Sequence, residues 1–566
     1  MKISLAGPSY TSGSVNAAVQ QTMNLVPELI EVPSEPARIV LYGRPGIKLF
    51  TTTSQPKIRA MWAGGGRLFV VSGSNLTEVK SDTTTVDRTG SVAQGTGDPD
   101  PAQIFSNGHQ LMIVSGGKVY CDNGAGPKPA LFLVSGTGNL VNSSSALNWV
   151  SGPYFQTSWT GLNVTANGRI YTITGVPGAG PNYTTLLLSP APPLPDASNV
   201  PWAVSGGAQV DGVTGGFIDG YFVVNRVPRP DLPQNQDPGR QFNISGLNDG
   251  TYWDPLDFGV KEGRSDYIQS VLCDHEELIL FGTESTEIWT NTGASPFPFQ
   301  RVPGAFIQDG SVAIYAPCSV GPTFCWLGGG PDGQTRAYRA EGLQPVRIST
   351  HAQEWAWNAP AFKVSDAVSY SYVNAGHLHW VVNFWQQQQT WVFDFTTQMW
   401  HERALWNPAG SNFVRYKPWY HAFIPEWGTG GKHIVGNPDS GKLYEMSSNY
   451  YDDDGTVIQY QRAFPHLINE NQYGYHHRLE VLMEMGALTA GQPVPVLGLD
   501  WSDDHGHTWK TSIGRQIPTA QAGVYTQRAV FRRLGKARDR VYRVGVNAST
   551  KVALIDTFLE ATPGFA

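Results

Sequence analysis

The stretch Val368–Arg403, VSYSYVNAGHLHWVVNFWQQQQTWVFDFTTQMWHER, decides the fold class. Val368, Tyr370 and Tyr372 alternate with Ser369 and Ser371, and a turn follows at Asn374-Ala375-Gly376. Leu378, Trp380, Val382 and Phe384 then share one face, with His379 and Asn383 on the other. Gln386–Gln389 makes a polar reversal; Trp391, Phe393 and Phe395 alternate with Val392 and Asp394, and Met399-Trp400-His401 forms a last short strand. Side chains of a strand alternate faces, so this period of two predicts four strands joined by tight turns. One such meander leaves two edges and an apolar face uncovered, so it requires sheets packed beside it.

Fainter copies of the unit start near Ile58, Ala102, Val213, Tyr267, Ile314 and Phe413. Successive starts lie 44 to 54 residues apart, except for the 111 between Ala102 and Val213, which reads as one blade carrying an insertion. A four-stranded repeat of about 40–50 residues is the signature of a β-propeller, the alternative being a large β-sandwich. The chain therefore reads as all-β: a propeller of seven blades, with six as the alternative, plus an inserted β module and a C-terminal β domain. The boundaries are an extended strap over 1–57, blades one and two over 58–128, and the insertion over 129–205. The remaining blades fill 206–454, and the C-terminal domain 455–566.

Composition agrees. The 566 residues include 63 Gly, 40 Pro and 18 Trp, with only 15% charged side chains, a turn-rich β composition. The net charge of −7 excludes a protein that binds nucleic acid over its whole surface. Four cysteines, Cys121, Cys273, Cys318 and Cys325, are few and show no CxxC pairing, which suits a reducing compartment and reads as small buried residues. The start, Lys2 followed by Ile3-Ser4-Leu5-Ala6-Gly7-Pro8, is no signal peptide, and no apolar run is long enough to span a membrane. A protein made and folded in a cytoplasm, with no membrane anchor, is expected.

Within 1–57, Pro27, Pro33 and Pro36 enforce an extended course, and Leu25, Val26, Leu29, Ile30, Ile39, Val40 and Leu41 are too apolar for a floppy tail. The Pro-rich run Pro190–Pro195 reads as the exit linker of the insertion. Asn449–Asp454 echoes a Ca²⁺ loop but lacks the glutamate at position twelve, so a solvated turn is expected.

Ser502-Asp503-Asp504-His505-Gly506-His507-Thr508-Trp509 matches S-x-D-x-G-x-T-W, similar to the Asp-box of sialidases. Its physical content is a hairpin turn: the Ser502 and Asp504 side chains bond backbone groups, Gly506 takes the unusual dihedral and Trp509 packs beneath, with Thr508 completing the pattern. A glycosidase would need several boxes and further catalytic groups, and only one box is present, outside the repeats. His505 and His507 with Asp503 and Asp504 are too few for a zinc site with its supporting shell and read as turn chemistry. No nucleophile elbow, P-loop, HExxH or dinucleotide fingerprint occurs, so no catalytic residue, cofactor or metal is expected. Arg528, Arg532, Arg533, Lys536, Arg538, Arg540 and Arg543 form the one dense basic cluster, readable as a subunit contact, a solvated strand face or a DNA contact. Trp355, Trp357 and Trp385 are candidates for the aromatic platform of a glycan- or receptor-binding propeller, with core packing the safer reading.

Asn24-Leu25-Val26-Pro27-Glu28, followed by Gly43-Arg44-Pro45-Gly46-Ile47, resembles the N-terminal signature of the packaged-DNA stabilisation proteins of short-tailed bacteriophages, also called tail nozzle, tail hub or head completion proteins. Trp501–Trp509 with Phe531-Arg532-Arg533-Leu534-Gly535 is similar to the end of that family. Family members often carry Tyr at the position of Val26 and Gly-Thr-Pro-Gly-Leu at Gly43–Ile47, and the insertion at 129–205 departs from the family pattern. The resemblance implies a virion protein assembled in the host cytoplasm: a ring of six copies below the portal and adaptor that extends the DNA channel. Such a ring would help retain the packaged genome, which passes without sequence-specific contact, and would carry tail fibres or spikes and a needle or plug. Asn24, Pro27, Glu28, Arg44, Pro45 and Gly46, with Arg528, Arg532, Arg533, Arg538 and Arg540, are the interaction residues it singles out.

Overall fold

The computed structural model describes residues 2–564 except 4, 6, 31–37, 179–180, 234, 331, 469, 471, 487–493, 511–512 and 518–526. Pro33 and Pro36 thus lie outside the described residues.

Val368–Asn374, His377–Phe384, Gln389–Asp394 and Met399–Arg403 pair as consecutive antiparallel neighbours. Ala375 and Gly376, both at positive φ, make the two-residue turn between the first two strands, as the right-handed twist of a hairpin demands. Both faces of this sheet are buried. Trp380, Val382, Phe384, Trp391, Phe393 and Trp400 pack with Cys325 and Leu327 of the preceding sheet and with Trp357. Tyr370, Tyr372, Val381 and Val392 pack with Val435, Tyr444 and Met446 of the following one.

Six further sheets of this kind begin at Ile58, Gln103, Gly215, Ile268, Gly310 and Tyr420. Their first strands neighbour one another in order, and Tyr420–Ile424 returns beside Ile58–Gly64, so the ring closes at seven blades. The sandwich and six-blade alternatives for this region fall. In blade five the inner strand is split, Gly310–Ser311 and Cys318–Val320 both pairing with Thr323–Gly329.

The closure differs from the sequence expectation. Blade seven has three strands of its own, Tyr420–Ile424, Lys432–Gly436 and Lys442–Ser447, and its outermost strand is Gly46–Thr52. The strap assigned to 1–57 therefore ends where the propeller begins to use it. Ile47, fully buried in the cluster between blades six and seven, fixes this strand.

The insertion is a closed six-stranded barrel, Leu131–Val141, Ala146–Ser151, Asn163–Ala166, Arg169–Gly175, Thr185–Ser189 and Ala197–Gln209, filled by Phe155, Trp159, Tyr171 and Trp202 among others. Residues 190–195 are no exit: they lead into the longest barrel strand, because closure needs a sixth strand between the first and third.

The C-terminal domain is a two-sheet sandwich that takes in the N-terminus. One sheet runs in the order Leu25–Ile30, Arg38–Gly43, Val552–Pro563, Gly474–Met485, Gln527–Ala537. The other contains Thr456–Ala463, Asp539–Ala548, Val496–Ser502 and Ile513–Gln516. Leu25, Leu41, Val481, Met483, Phe531 and Leu554 meet Tyr460, Leu499, Val544 and Val546 between them. Pro27 sits on the edge strand Leu25–Ile30, where a missing N–H costs no ladder bond. Val19–Met23 pairs with Thr456–Ala463 and touches blade six, Met23 opposite Glu402.

Burial leaves a pH signature. His401 and His421, both in the propeller, have pKa values pushed down to about 3: His401 by burial and then Arg403, His421 by burial and then His433, whose Nδ1 lies 2.9 Å from His421 Nε2. A histidine whose folded pKa is depressed leaves the unfolded chain to take protons first, so its contribution is intact above the ordinary value near ~6.5 and is lost as pH falls below it. Each such group removes about 2 kcal/mol between pH ~6.5 and ~5. Thermal unfolding followed by circular dichroism should show a midpoint falling over that interval, with a shallower fall in His421→Gln; equal slopes for the two proteins would refute the assignment.

Candidate assembly interface

The signature residues of the N-terminal segment meet at one buried joint. Arg44 and Asp453 have no exposed side-chain surface and form a bidentate pair, Nη1 to Oδ1 at 2.9 Å and Nη2 to Oδ2 at 2.6 Å. Arg44 Nε donates to Asn24 Oδ1 at 2.8 Å, Nη1 to Pro45 O at 3.0 Å and Nη2 to Ala404 O at 3.2 Å. All five guanidinium donors thus have acceptors, and the plane lies over the Tyr416 ring at 4.6 Å. Burial works against the charge, but Asp453 together with Tyr416 and Tyr460 more than offsets it and the pKa is raised. Asn24, at φ 60°, donates from Nδ2 to Gln459 O and accepts from Ala404 N. The joint therefore ties strap, propeller and sandwich within one chain. Pro45 and Gly46 are buried beside it, whereas Glu28 is half exposed, 3.9 Å from His377 Nε2.

Asp453 corrects the expectation of a solvated turn at Asn449–Asp454: the turn is real, Asp452 Oδ1 accepting from Gly455 N, but Asp453 points inward. A lone Arg between Gly43 and Pro45 in an apolar segment was the available sign that a buried acid must exist; its position was not legible.

At the sandwich's far edge the Asp-box turn has the expected form. Gly506 N donates to Ser502 Oγ at 2.8 Å, Thr508 N to Asp504 Oδ1 at 2.8 Å, and Gly506 has φ 94°. The bonds from Ser502 and Thr508 hold the Asp504 carboxyl well below the usual carboxylate range. Trp509 is only half buried and is covered by the Arg543 guanidinium at 4.1 Å.

The basic cluster divides in two. Arg540 is buried, giving Nε to Asp503 Oδ1 at 2.6 Å and Nη1 to Leu534 O at 2.6 Å, so it braces the neighbouring strand from within. Arg543 pairs with Asp500. Arg528, Arg532, Arg533 and Lys536 stand exposed on Gln527–Ala537, the edge strand of its sheet among the described residues, with Arg538 exposed just beyond it. Arg528 reaches Glu480 at 3.4 Å, and Lys536 and Arg538 lie over Tyr473. Arg532 and Arg533 have no ion-pair partner among the described residues. The register slips here between His476 and Arg478: Arg532 stays in the ladder opposite Arg478, while Arg533, at φ 61°, lies in a bulge.

The comparisons meet this geometry in two blocks. The family model described as "Bacteriophage P22 Gp10, beta-propeller" matches residues 153–451, and "Bacteriophage P22 Gp10, beta-sandwich" matches residues 459–562. The chain belongs to the bacteriophage P22 Gp10 family. It is thus a phage structural protein of the tail nozzle and DNA-stabilisation group of short-tailed phages. No curated protein matches. Among solved structures it is similar to the N-terminal domain of Nup159 (9% identity, 76% of this chain and 99% of that one, TM-score 0.37). Another is the WD40 domain of Toxoplasma gondii coronin (9% identity, 79% and 88%, TM-score 0.33).

Within the Gp10 family frame one expectation changes. The propeller match begins at residue 153, inside the barrel, so most of the insertion belongs to the family pattern instead of departing from it. The three tryptophans form no platform: Trp357 is core, Trp385 lies under Arg415 at 3.9 Å, and Trp355 alone is well exposed. The four cysteines are free thiols, and burial raises the pKa of each. No helix is long and apolar enough to cross a membrane among the described residues.

Breaking a buried ion pair from one side leaves an uncompensated charge and costs about 3–5 kcal/mol. Arg44→Ala should lower the urea unfolding free energy by that amount, while Glu28→Ala, at a half-exposed position outside the joint, should change it by less than about 0.5 kcal/mol; similar values for both would show that the joint does not hold the domains.

Proposed function

We propose that this chain forms a ring of identical copies below the portal and adaptor of the virion, extends the DNA channel, helps retain the packaged genome and carries the tail appendages. Six is the copy number that the family resemblance implies. The observation that supports a ring most directly is the cationic edge strand: Arg532 and Arg533, exposed and without acidic partners among the described residues, on a chain whose net charge is −7. A basic edge on an acidic protein finds its complement on another copy, where it adds orientation and encounter rate more than raw affinity. A net negative conduit also suits DNA that must slide without sticking. The buried arginines, Arg44 and Arg540, already have partners within the chain and support the ring only by holding its domains.

Charge reversal at the edge tests this. Deleting residues 1–40 is not a clean probe, because it removes strands of the sandwich itself. In Arg532→Glu/Arg533→Glu, native mass spectrometry with the portal–adaptor complex should show impaired assembly, most strongly at low salt where screening is least. Particles carrying the variant should fill with DNA and then lose it. Normal assembly and DNA retention by a folded double variant would refute the edge as the subunit contact.

A further inference from the structure

His466, His505 and Asp539 converge from three separate segments, with one ligand atom of each within 4.8 Å of the others. His466 precedes the short strand Leu467–Ile468, His505 lies in the Asp-box turn, and Asp539 opens the strand Asp539–Ala548. Asp539 and the His466 side chain are buried, whereas His505 is about half exposed. His466 Nδ1 lies 3.0 and 2.8 Å from the two Asp539 oxygens, and His505 Nδ1 lies 2.5 Å from Oδ2.

The far side of His466 decides what this means. Its Nε2 is 2.9 Å from Val15 O, and a carbonyl only accepts, so Nε2 carries a proton. In a neutral ring Nδ1 is then a lone pair facing two carboxylate oxygens. A second proton or a cation must stand between them. An imidazole whose far N–H is fixed by a backbone carbonyl, with its near nitrogen beside a carboxylate and a second imidazole, is the arrangement of a ligating histidine with its supporting shell.

We propose that His466, His505 and Asp539 bind one divalent first-row transition ion of the zinc class. Two imidazole nitrogens and one carboxylate oxygen suit zinc, cobalt or nickel and not calcium or magnesium, which take oxygen ligands. Bonds of about 2.0–2.2 Å would need the three atoms to open slightly from their present spacing, a movement available to the half-exposed His505. The fourth position, on the side of His505, is left for water. The ion would clamp the His466 segment, the strand Asp539–Ala548 and the Asp-box turn directly, and through His466 Nε2 the N-terminal turn that carries Val15. That turn already reaches the Asp-box through Asn16, whose Oδ1 is 2.9 Å from His507 Nε2. Of these three ligands only His505 belongs to the sequence cluster His505, His507, Asp503 and Asp504; His466 and Asp539 come from elsewhere in the chain.

The test uses the full chain without a histidine tag, stripped with EDTA and dialysed against Zn²⁺. Elemental analysis should find about one zinc per chain, as expected for a single three-residue site. Co²⁺ in its place should give visible d–d absorption. Zinc should also slow amide hydrogen exchange over residues 12–18. His466→Gln, which keeps a donor for Val15, and His505→Asn, which tolerates the left-handed backbone at φ 60°, should each lose the zinc while near-ultraviolet circular dichroism stays native. No zinc in the wild type, or the same zinc content in the folded variants, would overturn the proposal and leave a proton-bridged His–Asp–His cluster. Zinc that binds without changing exchange at residues 12–18 would overturn the clamp.

Discussion

A guanidinium out of reach of water must find five acceptors, and the acceptors that Arg44 finds set how the chain is wired. They come from Asn24, Pro45, Ala404 and Asp453, that is, from the strap, from the link between blades six and seven, and from the exit of the propeller. Two residues further on, Gly46–Thr52 becomes the outer strand of blade seven. One short stretch therefore closes the ring and fastens the sandwich to it. The closure joins residues near one end of the chain to residues roughly four hundred positions later, so the blades cannot close until most of the chain exists. Such non-local pairing must overcome loop-closure entropy before its contacts reward it.

The blades were legible because their physics is local. A strand with one neighbour on each side, reached through a turn of two to four residues, leaves its period of two in the sequence, and Val368–Arg403 shows four in a row. The closing strand left no such mark: Gly46–Thr52 pairs with Lys442–Ser447, and nothing in its own composition names a partner so distant. The same limit hid the Arg44–Asp453 pair, the sixth barrel strand behind residues 190–195, and the burial of Arg540. Arg540 stands among arginines that look alike in sequence, and only the fold separates the one that braces Leu534 O from those that face solvent. His466 carried no signal because its partners come from segments far apart in the sequence.

The Asp-box shows how a motif can be read correctly as a shape while its setting stays hidden. Ser502, Asp504, Gly506 and Thr508 build the turn, as the pattern requires. The turn is then used as a support. Asp503 on it holds Arg540, Arg540 holds the carbonyls of Leu534 and Lys536, and these lie on the strand that carries Arg532 and Arg533. The cationic edge is thus held from below by a buried ion pair, which fixes where its charges stand.

That edge also constrains how copies could meet. An unpaired strand edge is a template for association, and exposed cationic side chains are a common defence against it. Two copies brought together through the same edge would set Arg532 and Arg533 of one against those of the other, and like charges in contact are repelled. The two-fold, self-complementary contact is therefore the disfavoured one. A contact between the basic edge and a different, acidic surface of the next copy is heterologous, and heterologous contacts generate rings when the rotation closes. The charges that keep the edge from pairing with itself are the same ones that would favour a head-to-tail ring over a dimer, and the bulge at Arg533 breaks the regular edge beside Arg532.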